Sequence, residues 1–233
     1  MKTLAIIPAR GGSKRLPCKN IRPFLGTPLI AWSIRFARTV PQFDALVVST
    51  DSEEIATVCR AEGLPVRWLR PEALASDTAS TIDVVLHVIA TEAAAGRHYD
   101  TVALLQPTSP IRLHQRWDEG FARLKHPELD AVIGVAPVST HPYQTFGLAA
   151  AGDLTPLFDR ETLKLRGQEL PPVVAVAGNL YLCRIRALND FGTFFPPQSA
   201  GVLCDAPFET TDIDTELDWL IAETIATKYG IQP

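Results

Sequence analysis

Long apolar runs are missing from this 233-residue chain: the first, Leu4 to Ile7, is cut off by Pro8 and Arg10. That is too short for a signal-peptide core, and no later stretch approaches membrane-spanning length. The four cysteines, Cys18, Cys59, Cys183 and Cys204, form no CxxC and no Cys/His spacing of a zinc site, so reduced thiols in a cytoplasm are expected. The five histidines, His87, His98, His114, His126 and His141, fall in no HExxH pattern, and there is no GxSxG elbow to support nucleophilic catalysis. GxxxxGK[ST] and GxGxxG are both absent, which excludes a Walker loop and argues against a dinucleotide-binding oxidoreductase. An excess of positive charge is lacking too. Lys plus Arg is 22 against 26 for Asp plus Glu, a net −4, so no nucleic-acid footprint exists and any polyanion must be met locally.

What is present is the composition of an ordinary folded domain, 46% hydrophobic and 21% charged. Such a length buries about 70–75% of its unfolded surface, enough for one core. Short β-rich runs at 3–9, 45–50, 66–70, 101–106 and 131–138 read as strands, most of them continuously apolar as buried parallel strands are. Helical patterns lie between them. Thr27 with Pro28 opens one, Asp51 or Ser52 opens another that Gly63 closes, and Ser80 begins a third ending near Gly96. The alternation predicts a doubly wound α/β fold with a mostly parallel sheet, whose ligands sit at the carboxyl ends of the strands. It breaks over about 137–197, read as a small irregular lobe inserted in a single domain spanning 1–233. The chain then returns with a short strand, 201–205, and a final helix, 215–229, where Thr215 and Asp218 make a capping box.

Chemistry is concentrated in four segments. The first strand runs into IIPARGGSKRLPCKN (6–20), which gathers Gly11 and Gly12 with the cations Arg10, Lys14, Arg15 and Lys19, joined by Arg22. Glycines let backbone N–H groups wrap an anion and the cations supply charge and forked donors, so the segment reads as a phosphate trap. FETTDIDTELDW (208–219) places Asp212 and Asp214 two apart, on one side of an extended segment. One such acid would be read as favouring the positive end of the following helix. Two acids opposite a phosphate loop suit a partly hydrated Mg²⁺ that also binds substrate phosphates.

RPEALASDTAST (70–81) is a polar, small-residue loop leading into a helix, suited to reading a base edge; on spacing alone Asp77, Ser80 and Thr81 are N-cap candidates. In LLQPTSPIR (104–112) a strand delivers Gln106 to its mouth, and Pro107 and Pro110 stiffen the exit.

PARGGSKRLPCKN, RPEALASDTAST, LLQPTSPIR and DIDTELDW, in that chain order, resemble the nonulosonic-acid cytidylyltransferases of the CMP-sialic acid synthetase type, relatives of the Kdo cytidylyltransferases, over nearly the whole chain. The resemblance implies a Rossmann-like nucleotidyltransferase that couples CTP to a 2-keto sugar acid, the anomeric hydroxyl attacking the α-phosphate and releasing pyrophosphate. It places Arg10, Gly11, Gly12, Ser13, Lys19 and Asn20 in the phosphate loop and Arg70, Ala79 and Thr81 in the cytidine loop. Arg10 and Lys19, with Asp212 and Asp214 as Mg²⁺ ligands, then carry the chemistry. Gln106, Gln144 and Tyr181 fall on the sugar side. Phe194 and Phe195 match an aromatic pair that reaches across a homodimer interface into the partner's sugar pocket.

The chain departs from the sialate pattern within the lobe. AVAGNLY carries Ala175 and Ala177 where an Arg and an Asn are usual, and Gln144 stands where Lys is frequent. N-acetylneuraminic acid is therefore expected to be a poor substrate beside a deoxygenated diamino acid of the legionaminic or pseudaminic type. The alternatives are an eight-carbon, Kdo-type substrate or a regulator that binds nucleotide without turnover.

Overall fold

The computed structural model describes residues Met1–Pro233. The strands are β1 (Thr3–Pro8), β2 (Pro23–Phe24), β3 (Thr27–Pro28), β4 (Ala45–Ser49), β5 (Thr101–Leu104), β6 (Ala131–Pro137), β7 (Phe146–Leu148), β8 (Leu154–Pro156), β9 (Val174–Arg184) and β10 (Ser199–Leu203). The α-helices are α1 (Leu29–Thr39), α2 (Glu53–Ala61), α3 (Thr81–Ala94), α4 (His114–Leu124), α5 (Ile185–Phe191) and α6 (Glu216–Lys228). The main sheet has the order β10-β6-β9-β5-β1-β4, parallel throughout except for β9, which runs antiparallel to both β5 and β6.

Period-two alternation along β1 sets the layers. Ala5 and Ile7 point into a cluster shared with Ile30 and Ile34 of α1, Ile55 of α2 and Trp117 and Phe121 of α4. Leu4 and Ile6 point the other way, onto Val85 and Val88 of α3 and Leu188 of α5. Each Leu, Ile, Val or Phe side chain among these, fully buried, contributes about 1.5–3 kcal/mol. A third cluster, with Leu16, Phe24, Trp32, Ile111, Ile213 and Trp219, binds the loop after β1 to α6 and so fixes the floor of the site.

The expected helix starts are capped as their sequences suggest. The Ser52 side chain accepts from Ile55 N–H, and Ser80 with Asp83, like Thr215 with Asp218, forms a complete capping box. Two expectations need correction. Residues 66–70 form no strand, because Arg67 is drawn to the buried Glu92 while Arg70 N–H is spent on Thr50 O. The departure from the sheet is also narrower than 137–197. Only 138–173 leave it, whereas β9, 11 residues long, fills the slot between β5 and β6, and α5 follows directly.

Candidate active site

β1 lies where the chain reverses direction across the sheet, with β4 on one side and β5 on the other. Open α/β sheets bind ligands at such a point, beyond the carboxyl ends of the strands. There the loops after β1 and β5, the 70–81 loop and Asp214 enclose a cavity of about 330 Å³. Of the expected residues, Arg10, Ser13, Lys19, Asn20, Arg70, Ala79, Thr81, Gln106 and Asp214 line it.

Four cations of the first loop are gripped in pairs by two carboxylates. Asp214 takes Lys19 Nζ on Oδ1 at 2.9 Å and Arg15 Nη2 on Oδ2 at 2.8 Å. Asp77 takes Arg10 Nη1 on Oδ1 at 3.0 Å and Lys14 Nζ on Oδ2. Burial pushes the Asp214 carboxyl up, but the Lys19 hydrogen bond and the Lys19 and Arg15 charges outweigh it, leaving the group below its ordinary range. The Lys14 hydrogen bond, aided by the Lys14 and Arg10 charges, likewise holds Asp77 low.

Lys19 is buried and also donates to Ile213 O at 2.8 Å, while Ile213 N–H donates to Thr108 O at 2.8 Å. The acid segment is thus docked onto both the first loop and the loop after β5. Asn20 Nδ2 closes the first loop on Arg10 O at 3.0 Å. Arg70 is buried with no carboxylate partner, donating to Ser49 Oγ at 3.0 Å and to Leu74 O at 3.4 Å, and burial lowers its pKa. Arg70 Nη2 also donates to Ser49 O, and the Asp51 charge opposes the effect of burial.

Other expected residues lie elsewhere. Gly11 backs onto the start of α2, where its N–H is spent on Asp51 Oδ1 at 2.9 Å and a Cβ would stand 2.9 Å from Ser52 Cβ. It serves close packing and not anion wrapping. Gly12 is exposed and lies outside the cavity lining. Asp212 is exposed beside Tyr181, whose phenol is raised by burial and by the Asp212 charge. Gln144 sits exposed in the segment that leaves the sheet. Phe194 is 4% exposed and packs on Tyr181 at 5.6 Å between ring centroids, so it belongs to the core and cannot reach a partner; Phe195, 52% exposed, faces out. Ala177 is likewise buried, against Ala136 and Cys204.

Residues 4–147 match the cytidylyltransferase family. A CMP-N,N'-diacetyllegionaminic acid synthase of Legionella pneumophila is 34% identical over 97% of this chain and 96% of its own length. The chain belongs to the cytidylyltransferase family. A pseudaminic acid cytidylyltransferase of Campylobacter jejuni is 32% identical over 97% of this chain and 96% of its own. A CMP:2-keto-3-deoxy-manno-octonic acid synthetase solved with CTP shares the fold, with a TM-score of 0.71 at 18% identity, covering 98% of this chain and 100% of that one.

This cytidylyltransferase has two site features that its sequence did not announce. Asp77 reads as an N-cap, yet Ser80 holds the cap and Asp77 reaches across the cavity. Asn179 of β9 sends Nδ2 to Glu209 O at 3.0 Å, room for it being left by Gly134, where a Cβ would lie 2.5 Å from Asn179 Oδ1. A Gly inside an apolar strand is the one sequence signal for that close approach.

Proposed function

We propose that this cytidylyltransferase transfers CMP from CTP to the anomeric hydroxyl of a nine-carbon 2-keto sugar acid and releases pyrophosphate. The observation that carries the reading is the cavity itself: five cations, Arg10, Lys14, Arg15, Lys19 and Arg70, surround it with two carboxylates. Displacement at phosphorus needs chiefly positioning and charge neutralisation. Arg10 and Lys19 serve the phosphates, Arg70, Ala79 and Thr81 border the nucleoside, and Gln106 borders the sugar. The names of the two bacterial relatives, each covering nearly this whole chain, support a deoxygenated diamino nonulosonic acid over the eight-carbon alternative.

Magnesium belongs to this reading. No cluster of three or more His, Cys, Asp or Glu side chains offers a ready-made cage. Mg²⁺ needs none, because it keeps waters and takes one or two carboxylates plus substrate phosphates. Two hard carboxylates suit the ion: Asp214 lines the cavity, where it would have to exchange Lys19 or Arg15 for the metal on one oxygen, and Asp212, outside the lining, is exposed and free of partners. When bound, the ion neutralises phosphate charge and polarises an oxygen. Ile213, anchored on both main-chain sides, sets where the two carboxylates project.

The same reading includes a homodimer in the cytoplasm. Leu148, Leu154, Leu157 and Phe158 are exposed on the 138–173 segment, Val174 is exposed at the start of β9 and Phe195 projects outward, apolar side chains suited to burial against a second copy. All four cysteines are free thiols.

Pyrophosphate release from CTP tests the assignment over a panel of N-acetylneuraminic, N,N'-diacetyllegionaminic, pseudaminic and Kdo acids. The diamino acids are expected to exceed N-acetylneuraminic acid by roughly 10-fold or more in kcat/KM, the scale of one charge-assisted contact. Highest efficiency with N-acetylneuraminic or Kdo acid would reverse the substrate assignment.

A further inference from the structure

The phosphate side of the cavity is already occupied by a carboxylate that nothing local requires. Asp77 caps no helix, since Ser80 and Asp83 complete that box between themselves. Its hydrogen-bonding and ionic partners, Arg10 and Lys14, lie across the cavity on the loop after β1. The other acid of the lining, Asp214, is different: it is braced by the buried Lys19 and by the docked main chain of Ile213. Asp77 sits instead between the exposed Ser76 and Thr78, in a stretch without helix or strand.

We propose, building on the nucleotide assignment above, that Asp77 is an internal counter-ion, a positioning residue that the triphosphate displaces on entry and that competes with pyrophosphate for Arg10 and Lys14 after the transfer. Phosphate oxygens and the Asp77 carboxylate claim the same N–H donors, and a displaced carboxylate is left near a polyanion that repels it. CTP offsets this cost with contacts to its base and ribose. Pyrophosphate has charge alone, so the same cost is a larger share of its binding free energy, and Asp77 favours its departure.

The test compares wild type with Asp77→Asn and Asp77→Glu, at fixed magnesium, by calorimetric titration with CTP and with inorganic pyrophosphate and by product inhibition. Asp77→Asn should bind pyrophosphate roughly 3- to 20-fold more tightly, the scale of two partly exposed ion pairs. CTP affinity should rise by a similar factor, and kcat should fall as product release slows. Asp77→Glu, which keeps the charge, should restore most of the wild-type behaviour. Unchanged or weaker pyrophosphate binding by an Asp77→Asn protein that still binds CTP would overturn the counter-ion role. Failure of the wild-type protein to bind CTP would overturn the nucleotide assignment itself, a distinct result.

Discussion

Arg116 and Glu209, 93 residues apart, meet in a two-pronged ion pair, Nε to Oε1 at 3.0 Å and Nη2 to Oε2 at 3.0 Å. Glu209 is fully buried, and its Oε2 also accepts from Ala206 N–H at 3.0 Å. Together with Asn179 on Glu209 O, the pair ties α4 and β9 to the segment that carries Asp212 and Asp214.

Removing the cation should therefore unsettle both stability and chemistry. Arg116→Leu leaves a buried carboxylate unpaired and should cost about 3 kcal/mol. Glu209→Gln should cost less, because Arg116 keeps Asp205 at 2.6 Å. Urea unfolding of the two variants checks the order; equal losses would show that leaving the Glu209 charge buried and unpaired adds no penalty of its own.

Asp214→Asn should lower kcat at least about 100-fold, a typical loss for one strong electrostatic stabiliser. Asp212→Asn should raise the magnesium concentration needed for half-maximal turnover. Pyrophosphate release measured across a magnesium titration distinguishes these effects, and near-normal turnover of Asp214→Asn at saturating metal would remove the pair from the mechanism.

Acid should act through Glu92. The Arg97 hydrogen bond, assisted by Arg67, holds this carboxyl below its ordinary 4.5 against the opposing effect of burial. A depressed folded pKa means stability that is full above about pH 4.5 and is lost as pH falls through the lower folded value. The urea midpoint of wild type should drop in that window, and Glu92→Gln should be weaker at pH 7 yet show a shallower drop. Parallel pH profiles would exclude Glu92 as the source.

Thiol labelling should report nucleotide binding. Cys18 is exposed, in a left-handed conformation with φ 55°, one residue before Lys19. Burial pushes Cys59, Cys183 and Cys204 up to about 11, 12 and 11. Iodoacetamide followed by peptide mapping should therefore mark Cys18 first, and CTP should slow the reaction. Modification of a buried cysteine first, or no protection by CTP, would contradict this picture.

The loops were legible because their chemistry is local. Short runs such as PARGGSKRLPCKN and LLQPTSPIR hold their charges and prolines within a few residues of a strand end, and most of the residues that they place in the cavity do line it. Burial decided from a distance was not legible. Phe194 and Phe195 are identical neighbours and both meet Tyr181 of β9 edge-on, yet only the first is buried. β9 carries small residues and a Gly-Asn pair, and its strand character comes from its neighbours β5 and β6. The 66–70 run has strand composition but forms no ladder with β4, the edge strand. Asp77 looks like any residue before a helix until its partners 63 and 67 positions away are in place.

β9 also bears on how the chain reaches its folded state. β4, β1 and β5 make one parallel unit and β6 with β10 another, and β9 alone joins them. During synthesis β5 and β6 leave the ribosome before their shared neighbour, and at roughly 5–20 residues per second several seconds separate β6 from the end of β9. Through that interval both strands present unpaired N–H and C=O groups, the kind of edge on which chains aggregate. A nascent polypeptide, or one cut near residue 147, holds a bare β5 edge that only the second half of the same molecule can close.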